Sequence, residues 1–225
     1  MYNEWVHQPV YRPIRLFESE FLEGRTQAAW YWVLIVWLPA IFYLSATIAG
    51  SVLWTYSYGV PMTFILGIVL WLFMVYCIHF LFHHPLSSNY YLITLHFLLH
   101  GHHHKSPNDR LRTVFPPSLA IALFTVLFML LRCLLPDGLD ISMLLGLLCA
   151  YVFTDMVHYY LHHCKPNENS YFHDIRTIHV KHHFEQPDKG LGIATKLWDW
   201  IFNTGIHPLG CSKYTGSTTT MGRRK

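Results

Sequence analysis

The stretch ISMLLGLLCAYVFTDMVHYYL, residues 141–161, is followed directly by His162 and His163 and determines how the rest of the chain is interpreted. It is apolar over about the ~20 residues that a helix needs to cross a bilayer. Its last turns carry His158 and His162, four residues apart. Residues at this spacing share one helix face, so both imidazoles can reach one ion. The stretch therefore predicts a membrane helix that ends in a metal site.

Three further apolar stretches precede it, at about residues 28–50, 60–82 and 118–135. Only 13% of the chain is charged and 52% is hydrophobic, against roughly 25% charged in soluble domains. A soluble bundle is the alternative, but four such stretches leave little polar surface. We expect an all-α integral membrane protein with about four transmembrane helices (28–50, 60–82, 118–135 and 141–161) and a cytosolic helical cap. The expected divisions are an N-terminal cytosolic segment (1–27), one domain (28–205) and a disordered tail (206–225).

Lysine and arginine lie on one side of this topology. The loops at about 51–59 and 136–140 contain neither residue, whereas the N-terminal segment, the segment 83–117 and the chain beyond the fourth span contain many. The positive-inside rule then places both termini and residues 83–117 in the cytosol. Every histidine cluster lies at or beyond a cytosolic helix end in this arrangement. The net charge of +3 follows from the topology, and without a basic block interleaved with aromatics we expect no nucleic-acid partner.

Most of the seventeen histidines fall in four clusters. Two clusters read HxxHH, from His100 and from His179, and the other two supply HxxxH pairs. His102 and His163 point away from these faces, and the isolated His7, His173 and His207 are expected in loops or at the surface. His96 is expected to be a supporting residue. The remaining ten positions, counting one of His83 and His84, suffice for two ions at three or four imidazoles each.

The choice of metal depends on the ligand type. Neutral imidazole suits iron, copper, zinc and nickel. Two ions among so many imidazoles in a membrane favour iron that activates dioxygen, because zinc has no redox chemistry. Soluble di-iron bundles add glutamates, whereas carboxylates are scarce here. Asp155 stands three residues before His158 and is expected to orient an imidazole by accepting its N–H. A histidine-rich zinc transporter is an alternative, although transporters place their ligands near the bilayer midplane.

In order and spacing these motifs resemble the membrane-bound fatty acid hydroxylase and sterol desaturase superfamily and, within it, the fatty acid 2-hydroxylases of animals. The likeness covers about residues 4–205. The strings that carry it are EWVHQPV (4–10), RPIRLF (12–17), HFLFH (79–83), HFLLHGHHH (96–104), VFPP (114–117), DMVHYYLHH (155–163), HVKHHF (179–184) and GLGIATKLWD (190–199).

The resemblance implies ten metal ligands, namely His79, His83, His100, His103, His104, His158, His162, His179, His182 and His183. The first motif is one residue shorter than usual in the family, so His84 competes with His83. The helix-face argument favours His83. Tyr151, Tyr159, Tyr160 and Trp198 are expected to line the approach of the substrate, with an interfacial aromatic belt as the alternative.

The implied activity is O2-dependent insertion of one oxygen atom at C2 of a long-chain fatty acid, free or within ceramide, in the endoplasmic reticulum membrane. Two iron ions are expected in the active enzyme, with zinc possible in isolated protein. Electrons would come from NADH through cytochrome b5 and its reductase. Animal relatives carry an N-terminal cytochrome b5 domain that this sequence lacks, so we expect either a separate cytochrome b5 or an incomplete chain. A related desaturase or sterol oxidase would share the histidine motifs.

Overall fold

The four apolar stretches form four long helices in the computed structural model, which describes residues 2–83 and 89–206. The candidate membrane spans are Trp30–Gly50, Gly59–His83, Pro117–Leu134 and Leu139–His163. Each bound lies within two residues of the expected one. Over the described ranges every regular element is helical, as predicted. The helices are α1 (Tyr2–Val6), α2 (Glu20–Arg25), α3 (Trp30–Thr47), α4 (Gly59–His83), α5 (Tyr90–His96), α6 (His102–Lys105), α7 (Pro117–Leu134), α8 (Leu139–His163), α9 (Tyr171–Phe184) and α10 (Leu197–Ile201).

Helix α8 lies at the centre of the bundle. It is 72% buried over its span, against 17–22% for the other three spans, and α3, α4 and α7 all pack against it. The core between them is aromatic, with ring centroids 5.3–5.8 Å apart. Its members are Trp37, Trp71, Phe124 and Tyr151. Four of the five ring pairs are tilted or edge-to-face, and Trp71 and Phe124 are stacked. The outer faces of α3, α4 and α7 remain apolar and exposed, as a lipid-facing surface requires.

Two glycines allow α4 and α8 to approach closely. A Cβ atom at Gly67 would lie 2.3 Å from the Met143 carbonyl oxygen, and one at Gly146 would lie 2.1 Å from the Phe64 carbonyl oxygen. Small residues at such crossings let helix backbones touch within a membrane. Both helices run towards the same end of the bundle, so this contact brings the histidines at their C-terminal ends together.

A cap of short helices covers that end. Helix α5 continues through a π-helical turn (Phe97–Gly101) into α6. Helix α9 is capped at its N-terminus by Ser170, whose hydroxyl accepts the His173 N–H. The N-terminal segment folds over α6, where the Val10 N–H donates to the Lys105 carbonyl at 2.8 Å. The cap supplies the HxxHH motifs, and α4 and α8 supply the HxxxH pairs.

Candidate metal centre

Ten histidines come together at this end of the bundle in two groups of five. In each group one nitrogen from every ring lies within 4.8 Å of the corresponding nitrogens of the others. The first group is His79, His83, His100, His104 and His182, and the second is His103, His158, His162, His179 and His183. These are the ten positions that the sequence indicated. Their role as ligands remains a prediction, and His84 lies outside the described residues.

The distances between neighbouring ring nitrogens resemble those between ligand atoms around one metal ion. Neighbouring Nε2 atoms are 2.9–3.3 Å apart in the first group and 2.8–3.1 Å apart in the second. With metal–nitrogen bonds of about 2.0–2.1 Å, ligands at right angles would be about 2.9 Å apart and ligands at the tetrahedral angle about 3.4 Å apart. Five of the six observed distances fall in this interval, and the sixth, between His162 and His179, is 0.1 Å shorter. A hydrogen-bonded imidazole cluster fits less well, because a single Nε2 such as that of His100 cannot satisfy both His83 and His104.

Main-chain carbonyls orient two rings of the first group through hydrogen bonds to Nδ1. His79 Nδ1 donates to the Leu191 carbonyl at 2.7 Å, and His182 Nδ1 donates to the Lys189 carbonyl at 2.8 Å. Since Nδ1 carries the proton in each ring, the Nε2 lone pair points into the group. The His79 Nε2 is buried without a hydrogen-bond partner. A buried lone pair of this kind is what a metal ion would satisfy.

The environment keeps the cap histidines neutral. Burial, and then the neighbouring imidazoles, lower their pKa values well below the usual range. The histidines affected in this way are His100, His103, His104, His179, His182 and His183. A neutral ring has a free lone pair at neutral pH, which metal binding requires. The residues present therefore fit two metal ions held mainly by imidazole.

The predicted supporting residues lie close to the centre, with different contacts from those expected. The carboxylate of Asp155 accepts the Phe115 N–H at 3.1 and 3.2 Å, and no hydrogen bond among the described residues joins it to an imidazole. The expected imidazole contact is thus replaced by one to the loop before α7. His96 bonds through Nδ1 with the Tyr2 hydroxyl at 2.6 Å, and burial lowers its pKa to about 4.

The four aromatic residues expected along the substrate path do not form one surface. Tyr151 lies in the aromatic core of the bundle and donates to the Phe115 carbonyl at 3.3 Å. Tyr159 packs on His163, Tyr160 on Phe172, and Trp198 on Phe73. Contact with substrate therefore remains a prediction for each of them separately.

His7 lies in a turn, as expected, but beside the first group and not isolated from the histidine clusters. Its ring centroid is 5.2 Å from that of His104 and 5.6 Å from that of His83. Its Nδ1 donates to the Asn3 carbonyl at 2.7 Å, and its Nε2 is buried without a partner. No spacing argument applies to a lone histidine, because the fold of the N-terminal segment brings His7 to this position.

Buried charges hold the N-terminal segment in place. Lys105 is 6% exposed and its ammonium donates to the carbonyls of Trp5 and Gln8 at 2.7 and 2.6 Å. Arg112 pairs with Asp109 at 2.9 Å and also with Glu23. The Lys105 and Glu23 contacts join residues about 90 to 100 positions apart and tie the N-terminal segment to the cap.

Comparisons with known proteins agree with this architecture. The family model for fatty acid hydroxylase matches residues 64–204. The chain is 47% identical to a fatty acid 2-hydroxylase of Macaca fascicularis, over 91% of this chain and 60% of that protein. It is 38% identical to a dihydroceramide fatty acyl 2-hydroxylase of Arabidopsis thaliana, over 90% of this chain and 85% of that protein. The chain thus spans about 60% of the length of its animal relatives.

A solved structure extends the likeness to three dimensions. It is described as full-length scs7p with only the hydroxylase domain visible, and it superposes with a TM-score of 0.81 at 30% identity, covering 93% of this chain and 79% of that one. Together with the family model, which matches more than half of the sequence, this likeness shows that the chain belongs to the fatty acid hydroxylase family.

Proposed function

We propose that the chain is a fatty acid 2-hydroxylase with a di-iron centre, which inserts one oxygen atom from O2 at C2 of a long-chain fatty acyl group, free or within ceramide, for sphingolipid synthesis. The observation that carries the proposal is the pair of adjacent five-histidine groups at one end of the membrane spans. Relatives that bear the names fatty acid 2-hydroxylase and dihydroceramide fatty acyl 2-hydroxylase support the choice of reaction.

The ten histidines would hold two metal ions, one in each group. When bound, the ions supply the redox chemistry by which dioxygen is activated. Zinc would occupy the same nitrogens in isolated protein without supplying that chemistry. The Leu191 and Lys189 carbonyls hold the protons on His79 and His182 at Nδ1 and so keep each Nε2 free for a metal.

The placement of the centre suits an attack next to a lipid head group. Both groups lie at the ends of α4 and α8, where a span meets the membrane boundary. C2 is adjacent to the carbonyl carbon of an acyl chain, so it lies close to the head group while the tail extends along the apolar spans. Tyr151, Tyr159, Tyr160 and Trp198 are candidates for residues that contact the chain. The N-terminal segment would limit the access of water.

The overall reaction needs two electrons and two protons, because the second oxygen atom of O2 leaves as water. We assign the electrons to NADH through cytochrome b5 and its reductase. We assign the chain to the endoplasmic reticulum membrane. The arginines and lysines beyond the spans support an orientation with both termini and the metal centre in the cytosol. We take residues 28–205 as the hydroxylase domain and 1–27 as the cytosolic segment before it. The proposed tail, 206–225, falls almost entirely outside the described residues.

The related activities differ in their products. A desaturase would remove two hydrogen atoms, and a sterol oxidase would oxidise a ring methyl group, with the same kind of histidine centre. A zinc transporter would give no oxidised lipid at all. The end-of-span position of both groups also differs from the midplane site of a transporter.

The test is lipid mass spectrometry of cells that lack fatty acid 2-hydroxylase activity and express this chain, with and without added cytochrome b5. We expect 2-hydroxy acyl chains in the sphingolipids, and more of them when cytochrome b5 is present. Desaturated or ring-oxidised lipids in place of 2-hydroxylated ones would assign the chain to a related oxidase. An unchanged lipid profile with abundant membrane-inserted protein and added cytochrome b5 would contradict the proposal.

A further inference from the structure

A buried carboxylate stands behind the loop that orients the first histidine group. Asp199 in α10 is 4% exposed, and its oxygens accept three hydrogen bonds. The donors are the Leu191 N–H at 2.9 Å, the Gly192 N–H at 2.8 Å and the Thr204 hydroxyl at 2.8 Å. No ion pair among the described residues involves Asp199, so its charge is balanced only by these donors.

One of the peptide groups bonded to Asp199 also bonds to a histidine. The Gly192 N–H donates to Asp199 Oδ2, and the carbonyl of the same peptide unit, on Leu191, accepts the His79 Nδ1–H at 2.7 Å. A carboxylate that accepts the N–H end of a peptide polarises it and makes its carbonyl end a stronger acceptor. The stronger acceptor in turn raises the basicity of His79 Nε2, the atom that points into the group.

A second peptide unit of this loop, Lys189–Gly190, holds a second histidine by a similar route. The Lys189 carbonyl accepts the His182 Nδ1–H, and the N–H of the same unit, on Gly190, donates to the Thr204 carbonyl at 2.8 Å. The Thr204 hydroxyl donates to the Asp199 carboxylate at 2.8 Å, and the Thr204 N–H donates to the Asp199 main-chain carbonyl at 2.9 Å. One loop thus presents two carbonyls to two rings of the same group. Hydrogen bonds to Asp199 hold this loop, both directly and through Thr204.

The loop is built so that its peptide planes can adopt this orientation. Gly190 has φ +66°, in the left-handed region that other residues rarely adopt. A Cβ atom at Gly192 would lie 2.1 Å from the Thr195 carbonyl oxygen and 2.8 Å from Asp199 Oδ2. Side chains at these two positions would therefore force the carbonyls away from His79 and His182.

We propose that Asp199 is a positioning residue for the first metal ion, acting on His79 through the Leu191–Gly192 peptide unit and on His182 through Thr204. Asp199 belongs to neither histidine group, and the proposal rests on the proposed function only in requiring that the two groups hold metal. The arrangement is an outer carboxylate that strengthens an imidazole ligand, with a peptide unit inserted between the two. The second group has no link to Asp199 among the described hydrogen bonds, so the effect is confined to one ion.

The test compares Asp199→Asn with Asp174→Asn in the full chain, purified in detergent and loaded with cobalt(II). Asp174 is exposed and pairs with Lys196 at 3.3 Å, so it controls for loss of a carboxylate in the same region. The measurements are cobalt content, the time course of cobalt release to a chelator, and the visible absorption bands of the bound cobalt. Outer partners of ligating histidines typically contribute about 10- to 100-fold in metal affinity.

We expect Asp199→Asn to release one of two cobalt ions about 10- to 100-fold faster, with altered absorption bands for that ion, while Asp174→Asn matches the unmodified protein. Release kinetics and spectra unchanged in Asp199→Asn would overturn the inference, as would equal acceleration of both ions. Thr204→Val removes one donor and leaves the carboxylate, and it should accelerate release of the same ion by a smaller factor. This variant keeps the proposal testable if Asp199→Asn does not fold. Unmodified protein that binds no cobalt would refute the metal centre itself.

Discussion

The imidazole rings of His104 and His183 stack with their centroids 4.1 Å apart and their planes inclined by 17°. The two residues belong to different groups, His104 to the first and His183 to the second. Their contact is the closest ring approach between the two groups among the described histidines. The two candidate metal sites therefore meet at these two stacked rings.

The stacking follows from how each HxxHH motif divides its adjacent histidines. In the motif that begins at His100, His103 joins the second group and His104 the first. In the motif that begins at His179, His182 joins the first group and His183 the second. Adjacent helical residues point about 100° apart, so an HH pair at a shared boundary can serve two ions. Each motif is then a bridge between the groups.

We expect His104→Ala and His183→Ala each to reduce 2-hydroxylation to background and to lower the bound metal by about one ion, since each removes a ligand from a different group. Membrane insertion should be unchanged, because the four spans are untouched. Activity is measured by lipid mass spectrometry and metal by elemental analysis. His173→Ala, on the same helix as His183, is the control, because no described hydrogen bond involves its ring. Full activity in either test variant would remove that position from the site.

Metal removal should destabilise the protein. The purified chain is expected to bind about two metal ions, one for each group of five rings. Without metal, buried lone pairs such as that of His79 Nε2 have no partner. Each ion present at 100 times its Kd contributes about 2.7 kcal/mol, and this corresponds to a loss of roughly 5–10 °C in Tm for each ion removed. Elemental analysis giving one ion or none, or a Tm insensitive to chelator, would contradict this prediction.

The two candidates at the end of the first motif can be separated by mutation. His83 Nε2 lies 3.0 Å from His100 Nε2, within the first group, and shares a helix face with His79. We therefore expect His83→Ala to reduce hydroxylation and metal content more than His84→Ala. The two substitutions are adjacent and chemically identical, so each serves as the control for the other. The reverse ranking would favour the usual family spacing over the helix-face argument.

Local patterns in the sequence suffice to predict the spans and the set of clustered histidines. Span lengths follow from apolar stretches, and the pairs at i and i+4 follow from helix geometry. Both kinds of signal lie within about twenty residues of chain. That is why the expected bounds and the observed ones differ by two residues at most.

The features that the sequence could not predict depend on contacts across the fold. His7 reaches the first group only because the N-terminal segment packs on α6. Asp155 bonds to Phe115 instead of an imidazole because the loop before α7 lies closer to it. The supporting role of the Lys189 and Leu191 carbonyls is invisible in a sequence, since every residue has a carbonyl and only the backbone conformation aims it.

The buried ammonium of Lys105 is expected to hold the N-terminal segment over the centre. Lys105→Met keeps the length of the side chain but leaves the Trp5 and Gln8 carbonyls without their donor, at roughly 1–3 kcal/mol. We expect faster proteolysis within the first twelve residues and a lower Tm. Lys165→Met, at an exposed position, should change neither. Equal protease sensitivity in the two variants would show that Lys105 does not hold the segment.

The carboxylate of Glu23 should give the N-terminal segment a stability that depends on pH. Burial raises the pKa of Glu23, but the N–H groups of Phe17 and Leu16 and the Arg112 guanidinium outweigh burial and hold the pKa below its ordinary value. Because the pKa of Glu23 is lower in the folded protein than in the unfolded chain, its ionised carboxylate stabilises the fold above the unfolded-chain pKa of about 4.3. This stabilisation is lost as the pH falls through the folded-state pKa. Glu23→Gln should therefore lower the Tm at pH 7 and differ progressively less from the unmodified protein below about pH 4. Glu20→Gln, in the same helix but in an exposed pair with Arg15, should have little effect at either pH. If Glu23→Gln lowered the Tm by the same amount at pH 7 and below about pH 4, the side chain would act through its shape and not through its charge.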